Sequence, residues 1–220
     1  MEAFANGIRI FYEKQGEGAP LILLHGNGET HEIFDKAVEA FSSQYTVYAL
    51  DSRCHGKSEM TSTISYDEMA KDVADFIKVL QLEKPIICGF SDGGIIGLLL
   101  AIRYPERISR LIACGANATP SGLKIRYQML FRLFYLFTRE PKLKMMLDEP
   151  QITKEELEAI HLPVLLLAGE KDMIKTRHTQ YLAHSIPGSQ LHILKGETHG
   201  SYVVHSPVMP QHVLPFLDLH

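Results

Sequence analysis

Short runs of leucine and β-branched residues alternate along the chain with longer stretches whose apolar positions recur every three or four residues. Residues 3–4 and 8–12 flank Asn6-Gly7, a dipeptide suited to a tight hairpin turn, and predict two antiparallel strands. Residues 21–24, 45–50, 85–88, 108–114, 162–168 and 190–194 read as further strands, most of them apolar throughout. Between them, Thr30 is placed to cap a helix running through Ser42. Ser65-Tyr66-Asp67-Glu68 reads as a capping box, with Met69, Val73, Phe76, Ile77 and Leu80 as the apolar stripe behind it. Residues 95–101 predict a buried helix. This alternation predicts an α/β fold, a mostly parallel twisted sheet with helices on both faces. No repeat, low-complexity segment or linker interrupts it, so residues 1–220 are expected to form a single domain.

Residues 117–155 break the alternation. Thr119-Pro120-Ser121 predicts a helix start, and Leu123, Tyr127, Leu130, Phe134 and Phe137 follow at helical spacing. Ile125, Met129, Phe131, Leu133 and Leu136 widen this to a nearly all-round apolar surface, leaving Lys124, Gln128 and Arg132 as a narrow polar stripe. Pro141, Leu143, Met145, Met146 and Leu147 predict a second short helix. Thr153-Lys154-Glu155-Glu156 is a further capping box leading back to the sheet. A helix this apolar needs cover. The interval is expected to form a small helical cap, with Tyr127, Phe131 and Phe134 as substrate-contacting side chains; plain core packing or a dimer face are the alternatives. Its net charge is +3 in a chain of −4. Those cations are expected on the outer face, whereas an inward Arg126 or Arg132 would suit a carboxylate-bearing substrate.

Gly89-Phe90-Ser91-Asp92-Gly93 lies between the strand at 85–88 and the helix at 95–101. In that setting G-x-S-x-G is a sharp turn that lifts the serine hydroxyl clear of the sheet, and the tight backbone calls for glycine on either side. A serine hydroxyl is a weak nucleophile unless a neutral imidazole takes its proton and a carboxylate orients that imidazole. The partners of such an elbow follow in the order Asp/Glu, then His. Asp172 comes just after the strand at 162–168, and His199 just after the strand at 190–194. Each alone also fits an ordinary loop residue. Together, past the carboxyl ends of strands and in this order, they predict a triad of Ser91, Asp172 and His199. For a developing oxyanion the expected donors are the backbone N–H groups of Asn27 and Asp92, with the Asn27 side-chain amide as an alternative for the first. His25 reads as a loop-bracing imidazole and not a base.

His25-Gly26-Asn27-Gly28, Asp51-Ser52-Arg53-Cys54-His55-Gly56-Lys57-Ser58, the Ser91 elbow, Gly169-Glu170-Lys171-Asp172 and Thr198-His199-Gly200 together resemble the α/β-hydrolase superfamily. Within it the chain is most similar to small bacterial esterases and to carbon–carbon-bond hydrolases of aromatic degradation. The resemblance spans nearly the whole chain and implies an α/β-hydrolase fold. Cys54 departs from it, since D-x-R-G-x-G-x-S loops of the family carry glycine there. The His25-Gly26-Asn27 segment is also similar to one in haloalkane dehalogenases, but those carry an aspartate where this chain has Ser91.

Composition agrees with a single enzyme domain. A length of 220 residues and 45 % apolar content suit one α/β unit, and a net charge of −4 leaves no footprint for nucleic acid. Three cysteines, with Cys88 and Cys114 inside predicted strands, imply a reduced chain without disulfides. His161, His178, His184, His205, His212 and His220 read as surface or helix residues; no metal-ligand spacing or dinucleotide fingerprint appears, so no metal or cofactor is expected. No signal-peptide pattern opens the chain, and the apolar run at 95–102 is far short of the about 20 residues that span a bilayer. A cytoplasmic protein with no membrane or nucleic-acid partner is therefore expected, its partner a small-molecule substrate, with a homodimer left open. The leading reading is a serine hydrolase that cleaves a small, largely apolar carboxylic ester through an acyl-enzyme on Ser91. The runner-up keeps the triad and breaks a carbon–carbon bond in a carboxylate-bearing ring-cleavage product. A non-catalytic ligand receptor on the same scaffold comes third.

Overall fold

Asn6 and Gly7 both take left-handed backbone, φ 49° and 78°, and close the expected hairpin between β1 (Glu2–Ala5) and β2 (Ile8–Gln15). In this computed structural model, which describes residues 1–218, the hairpin forms one edge of an eight-stranded sheet. His220, and with it the end of the domain expected over 1–220, lies outside the described residues. The other strands are β3 (Ala19–Leu24), β4 (Tyr45–Leu50), β5 (Ile86–Phe90), β6 (Arg110–Cys114), β7 (Val164–Gly169) and β8 (Gln190–Leu194). Their order is β1-β2-β4-β3-β5-β6-β7-β8; β2 meets β4 antiparallel, and every pair from β4 to β8 is parallel. The carboxyl ends of β3, β5, β7 and β8 therefore open on one edge, which is where such sheets gather their ligand sites.

The helices are α1 (Asp35–Phe41), α2 (Tyr66–Val79), α3 (Asp92–Arg103), α4 (Ile125–Thr138), α5 (Pro141–Asp148), α6 (Lys154–Glu158), α7 (Thr176–Ser185) and α8 (Val208–Leu217). Adjacent strand residues serve opposite faces, which is why the central strands β3, β5 and β7, covered on both, are apolar almost throughout, whereas the edge strands β1 and β2 alternate buried and exposed positions. Ile22, Leu24, Ile87 and Leu166 pack with Met69 and Phe76 of α2, Leu98 of α3, Leu157 of α6 and Leu182 of α7. Leu21, Leu23, Cys88 and Leu167 pack with Phe41 of α1 and Val213 and Phe216 of α8. Side chains buried this fully each contribute about 1.5–3 kcal/mol, and the two layers hold the sheet flanked on both sides.

Three local expectations need correction. The helix from Thr30 starts as a 3-10 turn, His31–Phe34, before α1, because Asp51 Oδ1 holds both the backbone N–H and Nδ1 of His31, at 2.8 and 2.7 Å. The capping box at Ser65 is half-formed. Ser65 accepts from the Glu68 N–H, but the Glu68 carboxylate turns to Arg53, 3.3 Å, and Asn6, 3.2 Å. The long helix expected from Thr119 begins instead at Ile125. A 3-10 turn occupies Pro120–Gly122, and Leu123 makes a bridge to Ile174 that ties the segment to the loop after β7. At Thr153 the capping box is complete, with both reciprocal bonds to Glu156. No helix among the described residues is long and apolar enough to cross a membrane.

Candidate active site

β5 ends at Phe90 and α3 begins at Asp92, so Ser91 alone makes the turn, at φ 53° and ψ −112°. A non-glycine residue held there stores about 1–3 kcal/mol of strain. The Ser91 N–H donates to the Cys114 carbonyl at 2.7 Å and the Gly93 N–H to the His25 carbonyl at 3.1 Å, and these bonds fix the elbow. A Cβ on Gly93 would strike the Leu24 carbonyl, so the glycine expected there is required by close packing of helix against strand.

Ser91 Oγ lies 3.0 Å from His199 Nε2, and His199 Nδ1 lies 2.7 Å from Asp172 Oδ1. The three side chains come from the ends of β5, β8 and β7, as the sequence order implies. Asp172 is 2 % exposed, and its Oδ1 also accepts from the Ile174 N–H at 2.8 Å, which fixes the carboxylate's direction. The imidazole rests on Phe90, ring centroids 5.0 Å apart. Beneath it lies Gly115 at φ 62°, where a Cβ would come 2.8 Å from the ring. With Nδ1–H donating to the carboxylate, Nε2 faces the serine as an acceptor. This geometry can move a proton from Oγ to the ring.

The backbone N–H groups of Asn27 and Asp92 have no hydrogen-bond partner among the described residues. The Asn27 side chain is engaged elsewhere: Nδ2 donates to Asp92 Oδ2 at 2.9 Å and to the Lys142 carbonyl at 3.3 Å. That leaves the backbone N–H as the Asn27 group able to meet an anion. The Asp92 carboxyl is buried and also accepts from the Tyr66 hydroxyl, 2.8 Å; burial pushes its pKa up. Cys54 sits at φ 61°, a region that favours glycine, with its thiol against Thr61. All three cysteines are free and buried.

His25 bridges two loops and does not reach Ser91. Its Nδ1 donates to the Gly26 carbonyl at 2.7 Å and its Nε2 accepts from the Ser52 N–H at 3.0 Å. Burial lowers its pKa to about 4 from 6.5, so the unfolded chain binds the extra proton first. The stability His25 contributes is whole well above pH 6.5 and declines as pH falls through 6.5 toward 4. Between pH 7 and 5 the loss from this group is expected to be about 2 kcal/mol. His178, on α7, accepts from the Ala118 N–H and is likewise lowered by burial, adding in the same direction. Urea unfolding at pH 7 and pH 5 checks this; equal unfolding free energies would contradict it.

Above Ser91 and His199 lies a cavity of about 420 Å³. Its walls are Phe90, Phe131 of α4, Leu143 and Met146 of α5, and Met173; Glu29 is its acidic member, and among the described residues no lysine or arginine lines it. The Glu29 carboxyl accepts from the Gly26 N–H at 3.0 Å, and burial raises its pKa. Of the three aromatics expected to contact substrate, Phe131 lines the cavity. Tyr127 packs behind it, centroids 6.4 Å apart, and Phe134 stands 52 % exposed. Arg126 and Arg132 are exposed on α4. Leu143 and Met146 fall within the predicted second helix, whereas Glu29 and Met173 carry no motif or periodic signal. Among the described residues no group of three or more His, Cys, Asp or Glu side chains could hold a metal ion.

A family model described as alpha/beta hydrolase fold matches residues 19–144. Among curated relatives, the chain is 26 % identical over 232 residues to the serine hydrolase BPHL of Mus musculus, covering 90 % of this chain and 79 % of that one. Two solved structures share the architecture. The enol-lactonase from Burkholderia xenovorans LB400 superposes with a TM-score of 0.83 at 20 % identity, covering 99 % of this chain and 100 % of that one. A meta-cleavage product hydrolase from Pseudomonas fluorescens IP01 gives 0.82 at 21 % identity, with 99 % and 97 % covered. At these identities the structural likenesses establish the fold.

Proposed function

Because this chain belongs to the α/β-hydrolase fold family, we propose that it is a serine hydrolase that cleaves small, largely apolar carboxylic esters. The observation that carries the reading is the continuous hydrogen-bonded line from Asp172 through His199 to Ser91 at the floor of an apolar cavity. In this reading Ser91 Oγ attacks the ester carbonyl while His199 Nε2 takes its proton. Asp172 holds the ring and stabilises its cation. The Asn27 and Asp92 backbone N–H groups receive the oxyanion, which a preorganised pair of donors stabilises without reorganisation. His199 returns the proton to the leaving alcohol, and water, deprotonated by the same imidazole, then releases the acid. Residues 117–155 act as a cap whose Phe131, Leu143 and Met146 shape the acyl site within one domain.

Carbon–carbon hydrolysis of a carboxylate-bearing substrate is less well supported, because the cavity offers that carboxylate no cationic partner and contains Glu29. The test is kcat/KM for a neutral ester and a matched ester carrying a carboxylate on its acyl chain, at low and high salt. The neutral ester is expected to be preferred by more than about tenfold, since one unpaired charge buried near a like charge costs at least 1.4 kcal/mol. Preference for the anionic member by a similar factor would favour the runner-up. Turnover of neither would count against the hydrolase reading itself.

A further inference from the structure

Helix α4 has no buried residue along its 14 positions. It turns Tyr127, Gln128, Phe131 and Tyr135 inward. Outward it presents Ile125, Met129, Leu133, Leu136 and Phe137, from 51 to 81 % exposed. Exposed apolar patches of this kind mark docking surfaces. The charges that α4 itself carries have a single sign. Ile125–Thr138 contains no acid, and Arg126, Arg132 and Arg139 have no ion-pair partner among the described residues. Arg126 and Arg139 lie instead over the rings of Tyr127 and Tyr135, at 4.8 and 5.5 Å. By contrast Lys144, on the next helix, is paired with Asp148.

We propose that the outer face of α4 docks on an anionic phospholipid bilayer, with its apolar side chains in the headgroup–acyl boundary and its arginines against the lipid phosphates. An interfacial helix needs one apolar face and flanking cations, not the length of a spanning segment, so this contact departs from the expectation of no membrane partner, which rested on apolar runs too short to span a bilayer. Charge complementarity selects the bilayer over a second copy of the chain. Two α4 helices paired face to face would bring four arginines, Arg126 and Arg132 of each, together along about 20 Å with no acid in either helix. A lipid surface supplies both the apolar layer and the opposite charge. The contact is independent of the chemistry proposed at Ser91.

The test is co-sedimentation of the full chain with phosphatidylcholine vesicles, with and without phosphatidylglycerol, at low and high salt. Binding is expected to be at least about tenfold tighter to the anionic vesicles and to weaken with salt. Leu133→Asp/Phe137→Asp is expected to abolish binding, and Arg126→Glu/Arg132→Glu to remove the preference for anionic lipid. Both variants keep the wild-type melting temperature. None of these four side chains lines the cavity, so turnover of a soluble ester by Leu133→Asp/Phe137→Asp stays within about twofold of wild type. Absence of vesicle binding, or equal binding to both compositions, would overturn the proposal. So would a wild-type dimer in sedimentation velocity that Leu133→Asp/Phe137→Asp converts to monomer.

Discussion

Replacement of Ser91 by alanine is expected to lower kcat for a neutral ester by about 10⁶ and to leave the protein folded. Oγ has one partner in the structure, His199 Nε2 at 3.0 Å, so its removal orphans no buried group. Alanine keeps the Cβ that the elbow already accommodates at φ 53°, and the backbone bonds to Cys114 and His25 do not involve the side chain. Stability therefore stays within about 0.5 kcal/mol of wild type. Steady-state kinetics beside a thermal melt reads both quantities. A variant that stays within about a hundredfold of wild type would place the nucleophile elsewhere.

The second large effect is expected at Asp172. Changing it to asparagine is expected to lower kcat by about 10³–10⁴. In the native site one oxygen, Oδ1, serves both His199 Nδ1 and the Ile174 N–H, while Oδ2 faces the Gly169 N–H at 3.4 Å. An amide that keeps its oxygen toward His199 loses the charge that supports the imidazolium and points its NH₂ at another donor. An amide that flips loses the acceptor and drives the ring into the wrong tautomer. Neither neighbouring acid can substitute. Glu170 accepts from the Gly196 N–H and Glu197 from the Ser201 hydroxyl, both in exposed positions. A loss smaller than tenfold would mean that another carboxylate orients His199.

The parts of this molecule written locally were legible in the chain, and the parts written by long-range contacts were not. Asn6-Gly7 selects its own turn, and the all-apolar strands follow from burial on two faces. Ser91, Asp172 and His199 could be picked out because each follows a strand within a few residues, so strand order alone brings them to one edge. The start of α4 depends on Leu123 meeting Ile174, about fifty residues on, and no capping signal encodes that. Glu68 abandons its capping role for Arg53, whose guanidinium is held in turn by Asp72 at 2.6 Å. Phe131 and Phe134 could not be told apart in advance, because the narrow polar stripe of an otherwise apolar helix does not mark its outer face: Arg132 is exposed, but Gln128 turns in to donate to the Pro120 and Leu123 carbonyls. Glu29 and Met173 reach the cavity only through the way their loops fold over Ser91.

The claim that Ser91 is an activated nucleophile is tested most directly by a fluorophosphonate probe, with intact-mass measurement and peptide mapping. The expected result is one covalent adduct per chain, located on Ser91, formed by the wild type and absent from Ser91→Ala. An adduct on any other residue, or labelling that persists in Ser91→Ala, would contradict the account.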